Sequence, residues 1–174
     1  MEKIVYNSNW YALFVKSGQE NKVKERLEYK FEDKYRIIVP RRKLKERKGG
    51  VWSYVIRPLF PGYVLVNGEI NIEDYYGFKN VPGLFKLLCS GREPARIEPY
   101  EMEVISRLIS NSEIIGFSDV LVEDGKVIVV DGPLVSMEGR ILRINQRKGR
   151  AQVMLNFMGE PRVVELGINV LQPV

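Results

Sequence analysis

The spacing of apolar positions changes several times along the chain, and each change marks an element. "WYALFV", Trp10 to Val15, is aromatic and β-prone and reads as a buried first strand. In "SGQENKVKERLEYKF" the apolar residues Val23, Leu27 and Phe31 recur every fourth position, which predicts an amphipathic helix. Ser17, followed three residues later by Glu20, fits a capping box at its start. "YRIIVP" predicts a short strand ended by Pro40, and "RRKLKERKGG" an exposed basic loop. "VWSYVIRP" and "GYVLV" read as two further strands, the second buried on both faces. "NIEDYYGFKNV" predicts a short helix, "GLFKLL" a strand, and "EPYEMEVISRLI" a helix with Pro99 near its first turn.

Beyond Ile109 the pattern changes. "SNSEIIGFSDVLVED" keeps no period and reads as a linker. From Gly125 onward, "KVIVVDGP", "EGRILRIN", "RAQVMLNF", "PRVVEL" and "INVLQP" are short β-rich segments divided by turn signals, the pattern of a small closed barrel. Gly132, Gly139 and Gly149 fall where such a barrel turns with positive φ. The expected class is α+β. An N-terminal α/β sandwich over 8–110 is joined by a linker, 111–122, to a β-barrel over 123–174.

Composition narrows the function more by what it removes. The chain has no histidine, so Ser-His and Cys-His nucleophile systems and imidazole metal sites are excluded. Its single cysteine, Cys89, has no thiol partner for a disulfide or a metal cluster. The acids in "YEMEV" and "LEYKFED" lie in helical patterns, where solvated face charges explain them. No catalytic residue, metal or cofactor is expected. An apolar run of about 18 residues that could span a bilayer is lacking, and the N-terminus does not have the basic-then-apolar order of a secretory leader. The expectation is a cytoplasmic protein with no membrane partner.

A net charge of +5 and a pI near 9.3 favour polyanionic partners modestly, and the distribution says more. Lys22, Arg26 and Lys30 share a four-residue spacing beside the apolar helix stripe and extend the charge of Lys16. A solvated helix face explains that stripe as well as a phosphate contact does. Six of the eight residues from Arg41 to Lys48 are basic. Arg143, Arg147, Lys148 and Arg150 surround a hairpin turn in the terminal segment, whose net charge from Gly125 to Val174 is +3. "RPLFPGYVLV" sets Phe60 between two prolines ahead of a strand-forming run, which fits either a core residue at a stiff strand start or an aromatic held out for a partner.

"GKVIVVDGPLVSMEGRILRINQRKGRAQVML" resembles the KOW motif of transcription factors and ribosomal proteins. Together with "WYALFVKSGQENKVKERL", "RPLFPGYVLV" and "VPGLFKLLCSGREPARIEPYEMEVI", it makes the chain similar to the NusG family of transcription elongation factors from about residue 9 to the end. The resemblance implies an NGN-like domain followed by an SH3-like KOW barrel. It implies binding of the RNA polymerase clamp helices through an apolar cavity that here includes Phe60, Pro61, Tyr63 and Leu65, supported by Trp10 and Phe85. It also implies contact of the first-helix face, Lys16, Lys22, Arg26 and Lys30, with the non-template DNA strand.

The resemblance implies that general members of the family dock a small-subunit ribosomal protein or the termination factor Rho on the KOW domain, and their corresponding strand reads Phe-Gly-Arg and then Thr-Pro-Val-Glu-Leu. This chain reads "NFMGEPRVVEL", with Glu160 near the expected arginine. That departure and the basic hairpin suggest a specialised, LoaP-like monomeric antiterminator acting at selected operons. Arg143, Arg147, Lys148 and Arg150 would then meet a nascent or leader RNA hairpin, with other elongation factors as further partners. A housekeeping member of the family is the neighbouring alternative, and a KOW-containing ribosomal or ribosome-assembly protein the one from another class. Dense β-branching at Val127, Ile128, Val129, Val130, Val163 and Val164 disfavours refolding of the barrel into helices.

Overall fold

The computed structural model describes residues 9–172. Residues 1–8 of the stretch read for a secretory leader, with residue 8 the expected start of the first domain, lie outside the described residues. In chain order the elements begin with β1 (Trp10–Val15), α1 (Glu20–Phe31), β2 (Arg36–Ile38), β3 (Arg41–Lys48), β4 (Val51–Pro58) and β5 (Tyr63–Asn67). There follow α2 (Ile72–Lys79), β6 (Leu84–Leu87), β7 (Cys89–Ser90), β8 (Glu93–Pro94), α3 (Pro99–Leu108) and β9 (Ile114–Ile115). The chain ends with β10 (Ser118–Glu123), β11 (Lys126–Asp131), β12 (Ile141–Asn145), β13 (Arg150–Phe157) and β14 (Glu160–Val170). The fold is α+β.

Two compact units divide these elements, and neither is continuous in sequence. The first takes the residues up to Val39 and 60–98; the second takes 40–59 and everything from Pro99. In the first, β2, β5, β1 and β6 form an antiparallel sheet in that order. Val23 and Leu27 of α1 and Phe78 of α2 join Leu13, Val15, Val64 and Val66 in one buried cluster, which realises the four-residue stripe of α1. β5 is buried at Val64, Leu65 and Val66 in succession, as its unbroken apolar run predicts.

The start of α1 differs from expectation. The helix begins at Glu20 with Gln19 as N-cap and no side-chain cap, so Ser17 closes no capping box. Glu20 instead turns back: its carboxylate accepts from Gly18 N and, at 3.0 Å, from Gly62 N. It is 3 % exposed.

In the second unit, β11, β10, β14, β13 and β12 are hydrogen-bonded in that order. β13 alternates cleanly, with Ala151, Val153, Leu155 and Phe157 buried, and Leu134, Met137, Leu166 and Ile168 of the same unit are buried too. Two readings are corrected here. The supposed linker carries strands, because β9 pairs with β3 and β10 completes the barrel sheet. "PRVVEL" and "INVLQP" form the single strand β14, so the strand number holds only because β10 replaces the false division. Gly132 and Gly149 turn with φ of 105° and 63°, whereas Gly139 sits in a short helical turn without positive φ. A Cβ on Gly132 would lie 2.6 Å from Ser118 Cα, which leaves no room for another residue.

The basic segment Arg41 to Lys48 is not a loop. It is β3, paired through all eight residues with β4, and the tight turn falls on Gly49 and Gly50, both at positive φ. The alternation was hidden because the exposed positions of β3 are nearly all cationic, and Leu44 is its only buried apolar residue. The hairpin packs beside β14: Arg42 Nη1 donates to Glu165 O at 2.7 Å and Arg150 Nη2 to Lys45 O at 2.8 Å. α3 belongs to the same unit, where the Glu101 carboxylate accepts from Gly159 N at 3.1 Å.

Candidate functional site

Phe60-Pro61-Gly62-Tyr63 is a tight turn. Tyr63 N donates to Phe60 O at 3.2 Å, and the order of proline then glycine at φ 86° matches the central positions of a type II turn. Val15 N donates to Gly62 O at 2.8 Å, so the turn is pinned to β1 on one side and to Glu20 on the other.

That turn separates the expected polymerase-binding residues into two groups. Phe60 (3 % exposed), Leu65 (0 %) and Trp10 (4 %) are core side chains. Of the two readings of Phe60, the core one describes its packing. Pro61 is exposed and Tyr63 half-buried, and Phe85, expected only as a support, is 58 % exposed. The two expected supports therefore part: the Trp10 indole lies in the core and the Phe85 ring at the surface.

Between Tyr63 and Phe85 stands a residue that the sequence reading missed. Phe14 lies opposite Tyr63 in the β1–β5 register, with ring centroids 5.6 Å apart, and 5.4 Å from Phe85 on its other side. It is the only position of β1 that is not fully buried. The three rings form a partly exposed aromatic face on one end of the sheet, held by paired strands. The strand register would have exposed Phe14, but "WYALFV" reads as uniformly apolar and conceals which member faces outward.

The basic edge of α1 also divides. Lys16, Lys22 and Lys30 are exposed and Arg26 is half-buried. Arg26 Nη1 donates to Pro82 O at 2.7 Å and Lys30 Nζ to Gly77 O at 2.6 Å, so these two tie α1 to the α2–β6 region. They line a cavity of about 470 Å³ with Tyr29, Val81 and Pro82. Nearby, Tyr35 donates to the Asp74 carboxylate, which also meets Lys34 Nζ at 2.5 Å. Burial and that hydrogen bond raise the Tyr35 pKa. Burial raises the Asp74 pKa, but the hydrogen bonds from Lys34 and Tyr35 outweigh it and the net shift is downward.

In the terminal barrel, Arg143, Arg147 and Lys148 are exposed around the β12–β13 turn. Arg150 is committed elsewhere: Nη1 bonds Glu165 at 2.6 Å as Nη2 reaches Lys45 O. Burial, with Arg150 and Arg57 nearby, lowers the Arg42 pKa against the opposing pull of Glu165. Among the described residues, no group of three or more acidic or thiol side chains is placed to hold a metal ion, and no helix is long and apolar enough to cross a membrane.

Comparison with known proteins bears on these surfaces. The family described as "Transcription termination factor nusG" matches residues 8–106. The protein named "Transcription termination/antitermination protein NusG" of Bacillus subtilis (strain 168) is 34% identical, with 91% of this chain and 94% of that one aligned. Its namesake in Halalkalibacterium halodurans is 32% identical over 95% and 98% of the two chains. A solved structure described as "Domain interaction in Thermotoga maritima NusG" superposes with a TM-score of 0.58 at 27% identity, covering 92% of this chain and 94% of that one.

Proposed function

Because the chain belongs to the NusG family of transcription termination and antitermination factors, we propose that it binds RNA polymerase through the aromatic face of Phe14, Tyr63 and Phe85. The observation that carries this reading is that partly exposed triad, set on paired strands inside the segment the family covers. Aromatic anchors that are ordered before docking are the side chains that dominate binding energy at protein interfaces. Phe60, Leu65 and Trp10 act from beneath by fixing the turn and the sheet. The clamp helices of the polymerase are the expected partner surface, and the chain works in the cytoplasm as a monomer without catalysis of its own.

Lys16 and Lys22 face the non-template DNA strand in this reading, since both are exposed cations at the start of one helix edge. Arg143, Arg147 and Lys148 contact RNA emerging from, or encoded in the leader of, selected operons. Support for this specialised role comes from "NFMGEPRVVEL", which departs from the strand of general members and in which Glu160 and Arg162 form an ion pair at 3.9 Å. A second reading, the general factor, is favoured by near-full-length identity to proteins named for both termination and antitermination.

The test is transcription in vitro through an intrinsic terminator, with and without a candidate leader. Leader-dependent readthrough supports the specialised role, and equal action on every template supports the general one. Sedimentation with ribosomes rather than polymerase contradicts both.

A further inference from the structure

Strand geometry sorts the β3–β4 hairpin into two unlike faces, because alternate residues point to opposite sides. The register pairs Lys43 with Ile56, Lys45 with Tyr54 and Arg47 with Trp52, placing three cations and three large apolar side chains on one face. Trp52 is 41 %, Tyr54 61 % and Ile56 45 % exposed. Glu46, the hairpin's single acid, lies on the other face and pairs with Arg57 at 3.1 Å.

The lysines are organised rather than dispersed. Lys43 Nζ lies 4.7 Å and Lys45 Nζ 6.0 Å from the Tyr54 ring centre, both within cation–π range. Tyr54 itself meets Phe117 edge-on at 5.6 Å. Lys45 and Trp52 then line a cavity of about 400 Å³ with Gln146, Arg147, Gly149 and Asn169. The β12–β13 turn is held by Lys148 N donating to Asn145 Oδ1 at 2.9 Å.

We propose that this hairpin face and the Arg147 turn form one binding site for single-stranded RNA. Trp52 is the stacking platform for an unpaired base, and Lys45, Arg47 and Arg147 neutralise the phosphates on either side. Gln146 and Asn169 supply donor and acceptor groups of the kind a ribose 2′-hydroxyl pairs with, which selects RNA over DNA. A duplex keeps its bases stacked internally and offers Trp52 nothing. The site deepens the reading that the terminal barrel contacts RNA, and adds a hairpin surface to it.

The experiment is an anisotropy titration of the full chain against a labelled oligouridylate of about ten nucleotides, a length within the usual span of such sites. Parallel titrations use the same sequence as DNA and an RNA duplex. Trp52→Ala is expected to weaken RNA binding about tenfold or more, Trp52→Phe to restore most of it, and Lys45→Ala to lower the salt slope by about 0.7. Trp52 emission is expected to quench on binding, and the signal of buried Trp10, measured in Trp52→Phe, to stay constant.

Unchanged affinity in Trp52→Ala overturns the proposal, and equal affinity for the DNA overturns its assignment to RNA. Loss of affinity in Lys148→Ala with none in Trp52→Ala overturns the hairpin platform but leaves RNA contact by the barrel standing.

Discussion

Glu20 and Gly62, 42 residues apart, are joined by a 3.0 Å hydrogen bond from the Gly62 amide to the Glu20 carboxylate. This bond couples the start of α1 to the turn that presents Tyr63. Glu20→Ala leaves the buried Gly62 amide without its acceptor, at a cost of about 1–3 kcal/mol, whereas the exposed Gly18 amide can turn to water. Glu20→Gln keeps one acceptor oxygen and is expected to lose less. Urea unfolding of the two variants checks the order.

Phe60 and Phe85 should behave oppositely. Phe60→Ala empties a buried site and is expected to destabilise by about 3–5 kcal/mol. Phe85→Ala, at an exposed position, should leave the unfolding midpoint unchanged within about 0.5 kcal/mol while weakening polymerase binding. A stable Phe60→Ala variant with selectively lost binding contradicts the division between buried support and exposed anchor.

On α1, Lys22→Ala is expected to lower the salt slope of DNA binding by about 0.7–0.9 without affecting folding. Arg26→Ala removes a charge-assisted bond to Pro82 O and should cost about 1.5–3 kcal/mol of stability. Paired salt titrations and denaturation curves separate the two residues, and equal stability losses contradict the assignment.

Acid should act partly through Asp74. Its pKa is lower in the folded chain than in the unfolded one, so its contribution is complete above the unfolded value, about 3.9, and fades as pH falls through the folded value. Asp74→Asn should therefore flatten the stability profile below about pH 4 and lower the plateau above it. An identical acid limb in the variant contradicts this.

Elements whose burial follows one period were legible: α1 shows its stripe at Val23 and Leu27, and β5 its continuous apolar run. β3 was not, because strand pairing with β4 organises residues that are individually soluble, and "RRKLKERKGG" has the composition of a loop. β9 was hidden because two residues establish no period, and β10 because one of its two buried positions is the polar Ser118 beside Val120. At the candidate site, Tyr63 was named through the resemblance carried by "RPLFPGYVLV", and its ring is half-buried beside Phe14. Phe14 was not, because its exposure depends on which β1 position faces Tyr63 and Phe85, a property of register rather than of local sequence.

The central claim is that the Phe14–Tyr63–Phe85 face binds RNA polymerase. Its most direct test is the equilibrium affinity of the full chain for core polymerase, wild type against the Tyr63→Ala/Phe85→Ala double variant, with unfolding midpoints measured alongside. The account predicts an affinity loss of at least about tenfold, equivalent to 1.4 kcal/mol, with the midpoint retained. Unchanged affinity in a folded double variant contradicts it.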